Sequence, residues 1–583
     1  MIQSAISRAW PHKMCLPGAD RPFHWVLLPT VVLDNGSGGD DLFLPTHRTT
    51  ICKYRRLQNI IQDMLSRIKS SSAWLDGCRG YAAAIVVVFH FLLVFLPSIR
   101  FGYGMELPAG YLVFDNVYIP EGAKLVPGTL GRPDRWKITD PSKINNYHWY
   151  QLPIVRVLLA GDSMVNIFFV VSGYALSIKS LKLIRRAARA ELCSSLASSL
   201  WRRPLRLFGP TLVSTLLIAI MAGAGMFNTS YRTLGYDRLD SPDPVDFIGE
   251  RRKYFKGPQW EEPPPWKPDI FSQLLDWAFT MYRFLSPLLR SHPFMTVYDW
   301  HIWTIPVEYK ASLVLYMTHA VFSLVQARYR TPLLAILLFV ATVFGNIWEQ
   351  CLFWGGMLLC NIDLDRAKKT SHDAAPSRLL QVSWCLIFFV SLFLMSYPEF
   401  EPNMVPWTAW ITKIYFWDPG YHDRYRTVQG IGAGLFIYVV PRLTFLESFF
   451  SNDFARYLGR ISYSLYLVHG PIFRSLGYTV FLKILQGPNF SPSQYYKAVA
   501  VSMAVSLPVA FGLAHLFCRL VDEPLVHFAR WTEKLVFIQN HSQKAQPVEE
   551  DPDVSIEAMS LLPLHHDSER EAAAVFRTGE ERL

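Results

Sequence analysis

The chain lacks what a disulfide scaffold, a zinc module or a conventionally secreted protein requires. Its eight cysteines, Cys15, Cys52, Cys78, Cys193, Cys351, Cys360, Cys385 and Cys518, fall in apolar runs or in the segments expected on the cytoplasmic side. None lies in the long segments expected outside, and their spacings match no zinc-ligand pattern, so neither a disulfide framework nor a structural metal site is expected. No apolar targeting region follows the initiator Met. The run WVLLPTVVL is too short and carries Pro29, which leaves targeting to the first true span. Internal repeats of about 20 to 50 residues and inverted halves are missing as well, which argues against a solenoid and against many transporter architectures.

What is present is apolar surface in excess. Of 583 residues, 51% are hydrophobic and 14% aromatic, with 39 prolines and a mean hydropathy of +0.17. This is the balance of a polytopic membrane protein. The net charge of +10 does not imply a nucleic-acid partner, because the basic residues gather in short segments between apolar runs, where the positive-inside rule puts them.

Residues 1–54 are punctuated by Pro and Gly and read as a poorly ordered arm. Within 55–73, Leu57, Ile60, Ile61, Met64, Leu65 and Ile68 repeat at helical spacing against Arg55, Arg56, Arg67 and Lys69, the pattern of a helix lying on an anionic cytoplasmic leaflet. A membrane domain follows over 74–530. About ten spans are expected, at 81–99, 157–178, 204–226, 302–325, 332–350, 351–361, 379–397, 427–447, 461–484 and 496–520, the sixth so short that a half-helix is expected. The fold class is therefore an all-α polytopic membrane protein. With both termini cytoplasmic, the loops 179–203, 327–331, 362–378 and 448–460 are short and basic, while 100–156, 227–301, 398–426 and 485–495 lie outside with the acceptor sequon Asn228-Thr229-Ser230. Segment 268–290 is expected as an outer interfacial helix, and 531–583 as a disordered cytoplasmic tail.

Ionisable groups inside apolar runs are costly and usually mark a site or pathway. Arg79 and His90 lie eleven residues apart in WLDGCRGYAAAIVVVFHFLLVFLP, which returns the helix to nearly the same face about 16 Å along. His90 is then close to mid-membrane and Arg79 at its mouth. Glu308, seven residues beyond His301, reaches roughly 10 Å in from the other side, a depth at which its carboxylate would orient the His90 imidazole. Arg203 and Arg206 share one helical face in WRRPLRLFGP, suited either to lipid headgroups or to a phosphorylated cofactor. Ser172-Gly173 in NIFFVVSGYALS reads as a close-packing device, with Asn166 on the same span. His469 sits in RISYSLYLVHGPIF as a second polar group of a cavity or a helix-bridging hydrogen bond.

In order along the chain, WLDGCRGYAAAIVVVFH, FFVVSGY, RRPLRLFGP, HIWTIPVEYKAS, LFWGGM, ISYSLYLVHGPI and VDEPL resemble seven motifs of the acyltransferase-3 family of integral-membrane enzymes. The resemblance implies transfer of an acyl group, commonly acetyl, from acyl-coenzyme A on the cytoplasmic side to a hydroxyl of a sugar, lipid or small molecule. It carries the catalytic histidine to His90, its arginine partner to Arg79, the basic pair to Arg203 and Arg206, and the pattern's tryptophan and glutamate to Trp303 and Glu308. Glu308 is expected to hold the His90 ring, Arg203 and Arg206 to meet the donor's phosphates, with Arg79 assisting them or fixing the first helix, and Trp303, Ser172, Asn166 and His469 to meet substrate. Two positions depart from the family pattern: Asn166 replaces an acid, and Gly470 replaces the tryptophan usual after the late histidine. No esterase-like domain is expected after the last span, no permanently bound cofactor or metal is expected, and the membrane is expected to be an endomembrane or the plasma membrane. The rival reading is a proton-coupled secondary transporter that uses the same His/Glu pair as a relay.

Overall fold

A computed structural model describes residues 72–109, 112–114, 124–127, 135–140, 145–227, 254–256, 264, 266–286, 296–342, 347–369, 377–414, 424–485 and 489–537. The arm at 1–54, the leaflet helix expected over 55–73 (save its last two residues), sequon Asn228 and the tail beyond Phe537 lie outside the described residues.

The fold is predominantly helical, as the hydropathy pattern demands. Its main helices are α1 (Ala73–Phe95), α2 (Gly161–Arg185), α3 (Arg189–Gly223), α4 (Ile270–Phe284), α5 (Thr304–Phe322), α6 (Ala327–Val340), α7 (Trp348–Lys369), α8 (Arg378–Met395), α9 (Arg424–Val439), α10 (Thr444–Ser451), α11 (Asp453–Ile472), α12 (Tyr478–Leu485), α13 (Pro492–Phe517) and α14 (Glu523–Val536). Each of the ten predicted apolar segments overlaps a helix. By length and apolarity, five helical stretches suffice to cross a bilayer: α1, α2, α3, α8 and the continuous run Pro492–Val536. A sixth is reached if the pair Tyr425–Arg442 and Thr444–Ser451, bent by 97°, counts as one. The chain is thus a multi-pass membrane protein.

Two expectations need correcting. The segment at 351–361 is not a half-helix. It is the middle of the 22-residue α7, which begins at Trp348 and continues through polar Asn361, Asp363 and Asp365 to Lys369. The fold is also not purely α: β1 (Leu112–Phe114), β2 (Lys124–Pro127) and β3 (Arg135–Asp140) form an antiparallel sheet in the order β1-β3-β2. Val113 faces Trp136 and Leu125 faces Ile138, with a bulge between Lys124 and Leu125. Ile138 is fully buried with Phe101 and Val405, which ties this sheet to the helices.

α1 lies at the centre of the bundle. Val86 belongs to one hydrophobic cluster with Phe169, Leu315 and Phe353, while Val87 and Phe91 belong to a second with Leu465, Phe473 and Phe517. α1 packs on α11 and α2, and α2 crosses α7 where Gly173 meets Gly356. A Cβ on Gly173 would lie 2.3 Å from the Phe353 carbonyl oxygen, and one on Gly356 2.2 Å from that of Val170. Gly173 therefore packs as the sequence leads one to expect, and backbones approach there as only glycine permits. Every described cysteine is a free thiol.

Candidate active site

Three imidazoles from three parts of the chain meet beside α1. His90 stands near the end of α1, His301 in a one-turn 3-10 helix (Trp300–Trp303) that leads into α5, and His469 near the end of α11. Ring centroids are 4.1 Å apart for His90 and His301, 5.4 Å for His90 and His469, and 4.6 Å for His301 and His469. His301 and His469 are buried and His90 is half-buried.

Hydrogen bonding fixes two of the rings. Asp299, whose carboxylate also caps the 3-10 turn by accepting from the His301 N–H, lies 2.7 Å from His301 Nδ1. Arg474 Nη2 lies 3.1 Å from the same nitrogen, but the Asp299 carboxylate is nearer and only accepts, so we assign the Nδ1 proton to His301, which leaves Nε2 as the lone-pair nitrogen of the neutral ring. His469 Nδ1 faces the Leu465 carbonyl at 3.2 Å, one helical turn back, and the same logic makes its Nε2 the basic nitrogen. Arg474 donates to Asp299 Oδ1 at 2.7 Å and to the Tyr298 carbonyl. Asp299 and Arg474 are both essentially sealed from solvent. A buried ion pair contributes little net stability, but it holds direction. Arg474 reaches Asp299 because the chain after Pro471 widens into a π-turn over Phe473–Gly477. Such turns are frequent at functional sites. Gly470 completes the fit. A Cβ there would stand 2.7 Å from His301 Nδ1 and 2.8 Å from Arg474 Nη2.

Next to this cluster opens a cavity with about 1030 Å³ of atom-free space including its mouth. Its polar lining comprises Arg79, Arg203, Arg206 and Arg460, with Glu308, Ser172 and Asp522. Five residues singled out from sequence are thus brought together. The contacts of Glu308 run within this cavity: Oε1 accepts from Arg203 at 2.9 Å and from Ser172 Oγ at 3.1 Å. The carboxylate bonded to an imidazole is Asp299, on His301, where the sequence reading paired Glu308 with His90. Arg79 has Asp76 at 3.7 Å on its own helix, and Arg460 is held by Glu523 at 2.7 Å. The cavity and the histidines meet at Tyr466. Its ring lines the cavity and lies 6.1 Å from that of His469, and its hydroxyl bonds Thr304 Oγ1 at 2.8 Å and the His301 carbonyl.

Two predicted residues sit elsewhere. Asn166 is buried and donates to Gln429 Oε1 at 3.3 Å, stitching α2 to α9. Trp303 is one ring of an aromatic clamp on Arg426, whose guanidinium lies 5.0 Å from Trp303, 4.6 Å from Trp348 and 5.0 Å from Tyr425. The sequence reading missed Asp299, His301, Arg474 and Tyr466. Asp299-x-His301 carried a signal, an acid and an imidazole two apart at the threshold of an apolar span. The three histidines each offer a ring nitrogen within 4.8 Å of the others, a spacing that could also hold a metal ion.

The acyltransferase domain family matches residues 72–511 of the chain. O-acetyltransferase PaAT-1 of Phomopsis amygdali is 28% identical to it over 79% of the chain and 84% of the relative. Acyltransferase R4 of a Phoma species is 26% identical, over 80% of the chain and 96% of the relative. Acyltransferase clz18 of Cochliobolus lunatus is 23% identical with the same coverage. No solved structure matches.

Proposed function

Since the chain belongs to the acyltransferase domain family and is a membrane-embedded acyltransferase, we propose that it moves an acetyl group from acetyl-coenzyme A to an acceptor hydroxyl at the three histidines. The name of the Phomopsis relative supports acetyl as the group carried. Acetyl-coenzyme A would dock from the cytoplasmic side with its phosphates against Arg203, Arg206 and Arg79, whose guanidiniums suit bidentate contact with phosphate oxygens. The narrow pantetheine arm then passes Tyr466 and presents the thioester to His90. No resident cofactor or metal takes part in this reading.

His90 accepts the proton of the acceptor hydroxyl as its oxygen attacks the thioester carbonyl. The C–S bond breaks as the C–O bond forms, and the proton leaves on the coenzyme A thiolate. A positioned imidazole contributes about 10²–10⁴-fold to such a step. His301, its Nδ1 proton held by Asp299, keeps a basic nitrogen beside His90 and stabilises the charge that develops there. Glu308 acts one layer out, setting the Arg203 guanidinium for the donor. The observation that carries this reading is the Asp299–His301 pair packed 4.1 Å, ring to ring, from the one histidine that the first span supplies.

The test is incubation of purified protein with labelled acetyl-coenzyme A and membrane extract, followed by identification of the labelled product. Label appears in an ester with the native chain and disappears with His90→Ala, while that variant remains monodisperse in detergent. Transfer undiminished in His90→Ala would remove the imidazole from the reaction.

A further inference from the structure

A second cavity, with about 670 Å³ of atom-free space including its open side, lies among α6, α7 and α9, and none of its lining residues has an assigned role in the reaction proposed above. Leu338 lines it from α6, Thr342 from just beyond that helix, Trp348 and Gly355 from α7, and Arg426 and Gly434 from α9. Gly355 and Gly434 are informative because a Cβ on either would meet no atom within 4 Å. A glycine inside a helix destabilises it by about 1 kcal/mol relative to alanine. At these two positions no neighbouring helix collects the benefit, and the consequence of the missing side chains is a wider slot. Ile347 and Ile431 beside it are 39% and 52% exposed, so its flank is apolar and open. Its charged lining residue is Arg426, 8% exposed and clamped by three aromatic rings, beside the hydroxyl-bearing Thr342 and Thr427.

We propose that this slot receives the acyl acceptor, and that the acceptor is a hydroxylated apolar molecule carrying a carbonyl or carboxylate at one end. Its apolar body lies along Gly355 and Gly434, and its oxygen-bearing end meets the Arg426 guanidinium. A free sugar does not fit, because hydroxyls stranded among Leu338, Leu352 and Ile431 would each forfeit about 1–3 kcal/mol of hydrogen bonding. The slot also adjoins the chemistry. Trp303, under Arg426, sits two residues from His301 on the same turn. Phe169, which lines the arginine cavity, lies 5.1 Å from Trp348 of the slot. Donor cavity and slot thus share an aromatic wall. This assignment of the acceptor rests on the acyl-transfer reading; the occupancy of the slot by such a ligand does not.

The experiment uses the full chain in detergent, a palmitic acid probe bearing a diazirine and an alkyne, and peptide mapping after irradiation. Label is expected on peptides spanning 347–355 and 424–434. Gly434→Leu, which fills the slot, lowers it about tenfold, the effect of about 1.4 kcal/mol, while Gly434→Ala keeps it. Leu338→Trp fills the same space from α6 and carries the test should Gly434→Leu fail to fold. Label elsewhere, or undiminished in both filled variants, overturns the slot even if acetyl transfer proceeds. A protein that labels in the slot as expected but is inert toward acetyl-coenzyme A keeps the slot as a ligand site and overturns the reaction instead.

Discussion

The Asp299 carboxylate stands 2.7 Å from Nδ1 of His301, and Arg474 grips the same oxygen at 2.7 Å. This arrangement fixes a tautomer, and its value is kinetic rather than thermodynamic. Asp299→Asn preserves the side chain's shape but allows the imidazole to turn or change tautomer. We expect kcat to fall about 10²–10⁴-fold with the acyl-coenzyme A KM nearly unchanged, by analogy of role with triad carboxylates. A proportionate rise in KM at constant kcat would show that Asp299 serves binding instead.

The same pair makes a stability prediction. Removing one partner leaves the other as an uncompensated buried charge, which costs about 3–5 kcal/mol. Asp299→Ala and Arg474→Met should each lower the thermal midpoint strongly, and the double variant by clearly less than the sum. Thermal unfolding of the three variants in one detergent measures the coupling. Strict additivity would mean that the two charges act independently.

Gly470 stands where the sequence resemblance leads one to expect tryptophan, and no side chain fits there without a shift. Gly470→Ala would place a methyl group 2.7 Å from His301 Nδ1, so the ring or the π-turn must shift. Misplacement by about 1 Å is expected to lower kcat about 100-fold, with little change in expression or monodispersity. A fully active alanine variant would show that the ring has slack.

On the donor side, Arg203→Gln should raise the acyl-coenzyme A KM about tenfold or more by deleting a charge-assisted contact worth about 1.5–3 kcal/mol. Glu308→Gln should do so more weakly, because it loosens Arg203 without removing it. Titration of coenzyme A binding by calorimetry separates these effects from chemistry. Equal binding by native protein and Arg203→Gln would relocate the donor.

The histidine spacing also sets up a metal test. We expect the purified enzyme to retain full activity after exhaustive chelation and to carry well under one zinc per chain by elemental analysis. Stoichiometric metal, with activity lost on chelation and restored by zinc, would recast His90 as a ligand rather than a base.

Much of this was legible in the chain, and the reasons are physical. Long apolar runs favour helices in a bilayer, and each of the ten predicted segments overlaps a helix, although only five or six helical stretches are long and apolar enough to cross one. The one mistaken for a half-helix failed because α7 keeps its helix beyond the apolar stretch, through Asn361 and Asp365 to Lys369. The sheet escaped notice because its strands are only three to six residues long. His90, Glu308 and the arginines stood out because charge inside an apolar run is costly. Asp299 and His301 lie just before the span, in a stretch rich in Tyr and Trp where polar residues carry no such cost. Depth along a helix follows from counting residues, but azimuth does not. That is why Glu308, placed at a plausible depth for His90, turned out to face Arg203 and Ser172.

Tyr466 has a last implication. If the proposed donor reaches the middle of a bilayer, its route must not become a conduit for ions, and the phenol tethered to Thr304 and the His301 carbonyl lies between the arginine cavity and the histidines. In the proposed reaction the Tyr466 ring would thus let the acyl group be handed over while the membrane keeps its electrical insulation.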